Sequence, residues 1–96
     1  MYTFRAAASY KNSYDKVVGN NETLRKKVKT ALVKLSITPL HPSLHSHKIS
    51  TSHHGLCWSS SVSGDIRILW NYDKDKRLRL LLLDIGGHSG THKVYK

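Results

Sequence analysis

The segment from Trp58 to Trp70, broken near its middle by Ser63-Gly64, constrains this fold more than any other stretch. It reads as a strand, a tight turn and a second strand that opens with Asp65 and Arg67. Side chains alternate between the two faces of a strand. Ile66, Ile68, Trp70 and Tyr72 therefore share an apolar face, while Asp65, Arg67, Leu69 and Asn71 share the other. An acid and a base side by side on rigid backbone suit the handling of an anion.

A third strand is expected over residues 78–85. Its run Leu80-Leu81-Leu82-Leu83 is apolar on both faces, as in a strand central to its sheet, and Gly86-Gly87 ends it. Asp73-Lys74-Asp75-Lys76 reads as the hairpin connection between the last two strands. If those four residues close the hairpin, Tyr72 faces Arg77 and Asp65 faces Asp84. Val94-Tyr95 suggests a final edge strand.

Before these strands, residues 2–5 form a short strand candidate and residues 9–18 a first helix. Asn21 is placed to cap a second helix over residues 22–35. There Leu24, Val28, Ala31, Leu32 and Leu35 form one apolar stripe at helical spacing. Lys26, Lys27, Lys29 and Lys34 occupy its other faces, as a solvated helix back or as a ridge toward phosphates. Residues 37–56 show no period and hold both prolines and five of the seven histidines, so they read as loop. The expected architecture is α+β, two N-terminal helices packed on a small, twisted, antiparallel-rich sheet, with residues 1–96 as a single domain.

Sixteen Lys and Arg against six Asp and Glu give a net charge of +10, which draws a chain toward phosphate backbones or toward an acidic protein. Cys57 is the only cysteine, so no internal disulfide forms and a reducing, cytoplasmic setting is expected. No apolar run spans a membrane and no signal-peptide pattern opens the chain. Spacings such as His41-x3-His45 and His88-x3-His92 would serve a metal only on helices, which neighbouring Pro and Gly oppose, so no metal site and no cofactor is expected. His41, His45, His53 and His54 read mainly as loop residues, and Trp70 as core.

The order of these pieces resembles the RelE/ParE superfamily of bacterial type II toxins, and within it the YafQ-like messenger-RNA endoribonucleases. The stretches that carry the resemblance are residues 42–49, Trp58 to Val62 with Gly64 to Leu69, and Leu83-Asp84-Ile85-Gly86-Gly87-His88. It implies a ribosome-dependent cleavage of mRNA in which the 2′-hydroxyl attacks the adjacent phosphate without a metal, and an antitoxin protein as partner. By position, His47 matches a histidine before the second strand, Asp65 an aspartate opening the third, Arg67 a phosphate-facing arginine, and His88 the histidine of a Gly-x-His motif. These four are the catalytic candidates. Lys48, His45, His92, Lys93 and Tyr95 are the candidate RNA contacts.

Two departures stand out. Ser61 occupies a position where YafQ-like enzymes often carry a further histidine, and the segment between His88 and Tyr95 is longer than usual, which sets His92 in competition with His88. The alternatives are a ParE-like inhibitor of DNA gyrase without an acid–base set, and a degenerate toxin that only binds antitoxin or RNA.

Overall fold

The computed structural model describes residues 1–87. His88, His92, Lys93 and Tyr95, with the expected edge strand at Val94-Tyr95, lie outside the described residues. The elements run β1 (Thr3–Ala6), α1 (Ala8–Val17), α2 (Glu22–Ile37), a 3-10 turn (Pro42–Leu44), β2 (His47–Thr51), β3 (Gly55–Ser61), β4 (Ile66–Tyr72) and β5 (Arg79–Gly87). The five strands form one sheet in the order β1-β5-β4-β3-β2. β1 pairs parallel with β5 and every other pair is antiparallel. This is the expected α+β architecture of two helices on an antiparallel-rich sheet.

The helices begin and end where side chains and backbone satisfy their open ends. The Asn21 side chain accepts a hydrogen bond from the Leu24 N–H at 3.1 Å and caps α2. α1 stops at Gly19, whose φ of +49° is the left-handed conformation that favours glycine. Val28, Ala31 and Leu35 on α2 and Tyr10 on α1 are buried against Ile68, Trp70, Leu80, Leu82 and Ile85 of the sheet. Burial pushes the Tyr10 phenol up to about 12, with a smaller contribution from Tyr14. No helix among the described residues is long and apolar enough to cross a membrane.

Trp70 is the largest fully buried side chain. It stacks on Trp58 at 5.6 Å between ring centroids, and its Nε1–H donates to Ser60 Oγ at 2.7 Å. Ser46 Oγ donates to the Pro39 carbonyl at 2.8 Å, so Ser60 must donate to Ser46 across their 2.6 Å contact. This relay satisfies every polar atom along it, as a buried indole requires.

The structure corrects three sequence expectations. Residues 37–56 contain the 3-10 turn and the whole of β2, an edge strand whose side chains are mostly exposed and so lack apolar alternation. The connection between β4 and β5 covers residues 73–78, not 73–76. Asp73 organises it: its carboxylate accepts from the Asp75 N–H at 2.9 Å and from Arg79 Nε at 2.6 Å. Leu78 takes a φ of +57°, a left-handed conformation that sequence does not flag for leucine. The longer loop moves the register, so Tyr72 faces Leu80, Leu69 faces Asp84, and Asp65 no longer faces Asp84. Finally, Asp65 precedes β4 in an exposed turn and is not a strand residue.

One irregularity positions the site. Pairing shifts between Leu69 and Trp70, where Leu83 is the extra residue of β5. This bulge keeps Leu80, Leu82 and Ile85 in the helix-side core, yet places Leu83 with Cys57, Leu69 and Ile49 on the far side of the sheet. The Leu83 carbonyl accepts from Ser9 Oγ at 2.6 Å.

Candidate active site

No described helix packs against the second face of the sheet. Alternation directs His47 of β2, Ser59 and Ser61 of β3, Arg67 and Leu69 of β4, and Asp84 of β5 to that face. Cys57 and Leu69 form its apolar floor. The Cys57 thiol is pushed up by burial and then by the Asp84 carboxylate, so it stays protonated and is a packing residue, not a nucleophile.

Arg67 is anchored at one end and open at the other. Its Nη1 donates to Ser61 Oγ and, at 3.1 Å, to the Ser63 carbonyl. Those two bonds use both Nη1 hydrogens and leave the Nε and Nη2 donors without a partner among the described residues. A guanidinium edge held this way presents the fork that matches phosphate oxygens. Ser61 therefore fixes the direction of the arginine.

An imidazole–carboxylate pair that the sequence reading did not single out lies on the same face. His54 Nε2 sits 3.1 Å from Asp84 Oδ2, with the two side chains 15% and 19% exposed. Each partner is held independently. The His54 backbone N–H donates to Thr51 Oγ1 at 3.0 Å within the β2–β3 turn, which Gly55 closes with a φ of +64°. The second carboxylate oxygen of Asp84 accepts from the Ile85 N–H at 2.9 Å. With Nε2–H donating to the carboxylate, Nδ1 of a neutral His54 carries the free lone pair. Arg67 faces Gly86 and Asp84 faces Leu69, so Arg67 and Asp84 are diagonal neighbours, about 7–8 Å apart at this position in an antiparallel pair.

The remaining candidates separate. His47 lies in the same cross-strand row as Asp84, through Ser59 and Leu69, but three strand spacings away, about 14 Å. Its Nδ1–H donates to the His45 carbonyl at 2.9 Å, leaving Nε2 as its acceptor. Lys48, its sequence neighbour, points to the opposite face and lies over the Trp58 ring at 5.6 Å. His47 and Lys48 thus do not act on one ligand from one side. Asp65 is exposed and has no hydrogen bond or ion pair among the described residues. His45 borders a different groove, between α2 and the β3–β4 turn. No three His, Cys, Asp or Glu side chains cluster as metal ligands among the described residues.

The signal for the missed pair lies in register. His54 and Asp84 stand thirty residues apart, and only the corrected β4–β5 pairing, with its bulge, brings Asp84 beneath the β2–β3 turn.

No family model matches the sequence, and no curated protein does. Solved structures do. A YoeB/ParE toxin from Agrobacterium tumefaciens superposes with a TM-score of 0.72 at 13% identity, covering 91% of this chain and 99% of that one. A chain of the archaeal RelE–RelB complex from Pyrococcus horikoshii gives 0.69 at 9% identity, over 94% and 98% of the two chains. A chain of the DinJ–YafQ complex from E. coli gives 0.64 at 15% identity, over 92% and 94%. What is common at such identities is the path of the backbone: the chain has the fold of the RelE/ParE toxin superfamily.

Proposed function

We propose that this chain is the toxin of a type II toxin–antitoxin pair, a single domain over residues 1–96, and that it is an endoribonuclease acting on ribosome-bound mRNA. One observation supports the enzymatic reading: an oriented imidazole–carboxylate pair and a guanidinium with three donors unpartnered among the described residues share the sheet face that no described helix covers.

The chemistry follows from those groups. His54 Nδ1 takes the proton of the ribose 2′-hydroxyl as the 2′-oxygen attacks the neighbouring phosphorus. Asp84 stabilises the imidazolium that results and holds the ring in one tautomer. The Arg67 fork binds the non-bridging phosphate oxygens, where charge accumulates in the transition state. The bond to the 5′-oxygen then breaks, and His88, a catalytic candidate by its resemblance to the Gly-x-His histidine, is assigned in this proposal the protonation of the leaving oxygen. The products are a cyclic phosphate and a free 5′-hydroxyl. His47, standing apart from this centre on the same face, is proposed to contact a neighbouring nucleotide, and Asp65 takes no part in the step. In this reading His54 supplies the imidazole that Ser61 does not, and Ser61 serves the arginine instead.

The proposed antitoxin partner is supported by the neighbours that were solved as complexes, DinJ with YafQ and RelE with RelB. An acidic or amphipathic segment would neutralise the +10 surface. Action on the ribosome places the protein in the cytoplasm.

Primer extension on ribosome-bound mRNA tests the proposal. Discrete cuts are expected from the wild-type chain, and their loss from His54→Ala and Arg67→Ala variants that keep the wild-type circular dichroism. Undiminished cutting by both variants overturns the assignment. Growth arrest with DNA damage and intact mRNA assigns the chain to gyrase inhibition instead.

A further inference from the structure

A groove of about 470 Å³ runs between α2 and the β3–β4 turn, on the side of the sheet away from the proposed catalytic pair. Lys26, Lys27, Thr30 and Lys34 form one wall, and His45 and Ser63 stand on the other. None of the three lysines has a carboxylate within ion-pair distance among the described residues. Like charges side by side repel one another, so an anion bound in the groove would relieve that repulsion.

The distribution of charge says what kind of anion. Lys26 and Lys34 are eight residues apart, about 12 Å along the helix at 1.5 Å per residue. Charges spread along a line suit a repeating polyanion better than one small phosphate. The hydroxyls of Thr30 and the serines opposite supply further donors to phosphate and sugar oxygens. The groove also joins the open face at a defined point. Ser61 and Ser63 border it, and the same two residues hold the Arg67 guanidinium.

We propose that this groove is the track for the phosphodiester backbone of a single RNA strand, leading over the β3–β4 turn to Arg67. The proposal rests on the RNA reading above and extends it to the flanking nucleotides. The strand passes over the β3–β4 turn at Gly64, around which there is open space. Lys26, Lys27 and Lys34 each neutralise a phosphate, and Arg67 receives the next linkage on the other side.

A short 2′-O-methyl oligoribonucleotide, which cannot be cleaved, is the probe. Its affinity is measured by fluorescence anisotropy across a salt series. The variant K26Q/K27Q/K34Q is compared with K11Q/K16Q/K74Q, which loses the same net charge away from the groove. Glutamine keeps helix propensity. For single strands each neutralised phosphate adds about 0.7 to the salt slope, so the groove variant is expected to lose about 2 from the slope. From about 50 to about 200 mM salt its affinity should then fall about twentyfold less than that of the wild type. The control variant is expected to keep the wild-type slope. Equal slopes for wild type and groove variant overturn the proposal, as do equal losses in both variants. Loss of binding to a poly-glutamate peptide with RNA binding unchanged also overturns it and makes the groove a protein site. The two readings fail separately: a chain that binds RNA through the groove but never cuts loses only the nuclease, and one that cuts with an unchanged slope loses only the groove.

Discussion

The two faces of this sheet are built from the same strands by the same alternation, yet they solve opposite problems. On the helix side, Ile68, Trp70, Leu80, Leu82 and Ile85 are almost wholly removed from water and meet a matching helical stripe. On the other side a small floor of Cys57, Leu69, Ile49 and Leu83 supports His54, Asp84 and Arg67, each tied by hydrogen bonds to backbone or to a hydroxyl. One face supplies the stability and the other holds polar groups in fixed directions. Residues adjacent in sequence, such as Arg67 and Ile68, can therefore differ completely in what their loss does.

Breaking the helix side should give the largest effect. Trp70→Ala removes a fully buried indole, its stack on Trp58 and the head of the serine relay, and should cost about 3–5 kcal/mol in denaturant unfolding. On the open face the effect should appear in rate. His54→Ala and Asp84→Asn should each lower RNA cleavage about a hundredfold or more while unfolding midpoints stay near wild type. The double variant should fall little further, since the two groups act as a unit. A large loss of stability in Asp84→Asn would show that the pair is structural.

The sequence pattern made the helix side legible. The stripe from Leu24 to Leu35 with Asn21 before it locates α2, and Trp70 follows from strict alternation in β4. The facing of Arg67, on the surface opposite Ile68 and Trp70, was readable for the same reason. The His54–Asp84 pair was not, because it depends on a six-residue loop and a bulge, and neither has a periodic signal. β2 was missed because an edge strand with one side in water has little reason to alternate.

Smaller perturbations sharpen the contrast. Asn21→Ala removes the cap of α2, far from the open face, and should cost about 1 kcal/mol in unfolding without changing the cleavage rate per folded molecule. Acid should act most weakly. Bonds from the Asp75 N–H and then Arg79 hold the Asp73 carboxyl below the usual carboxylate range. Its stabilising effect is thus present above the unfolded carboxylate value and disappears as pH falls through the lower folded one. Asp73→Asn should flatten that part of the acid-unfolding curve, with the β4–β5 loop exchanging amide hydrogens faster at neutral pH.

The bulge at Leu83 also bears on which length changes this chain tolerates. Removing a residue from within a regular strand inverts the facing of everything beyond it. Deleting Leu83 alone would leave Leu82 opposite Trp70 and Asp84 opposite Leu69 in continuous parity, so both surfaces would keep their residues. The run of four leucines therefore contains one position where the ladder is indifferent to a deletion, and it sits directly beside the proposed catalytic carboxylate.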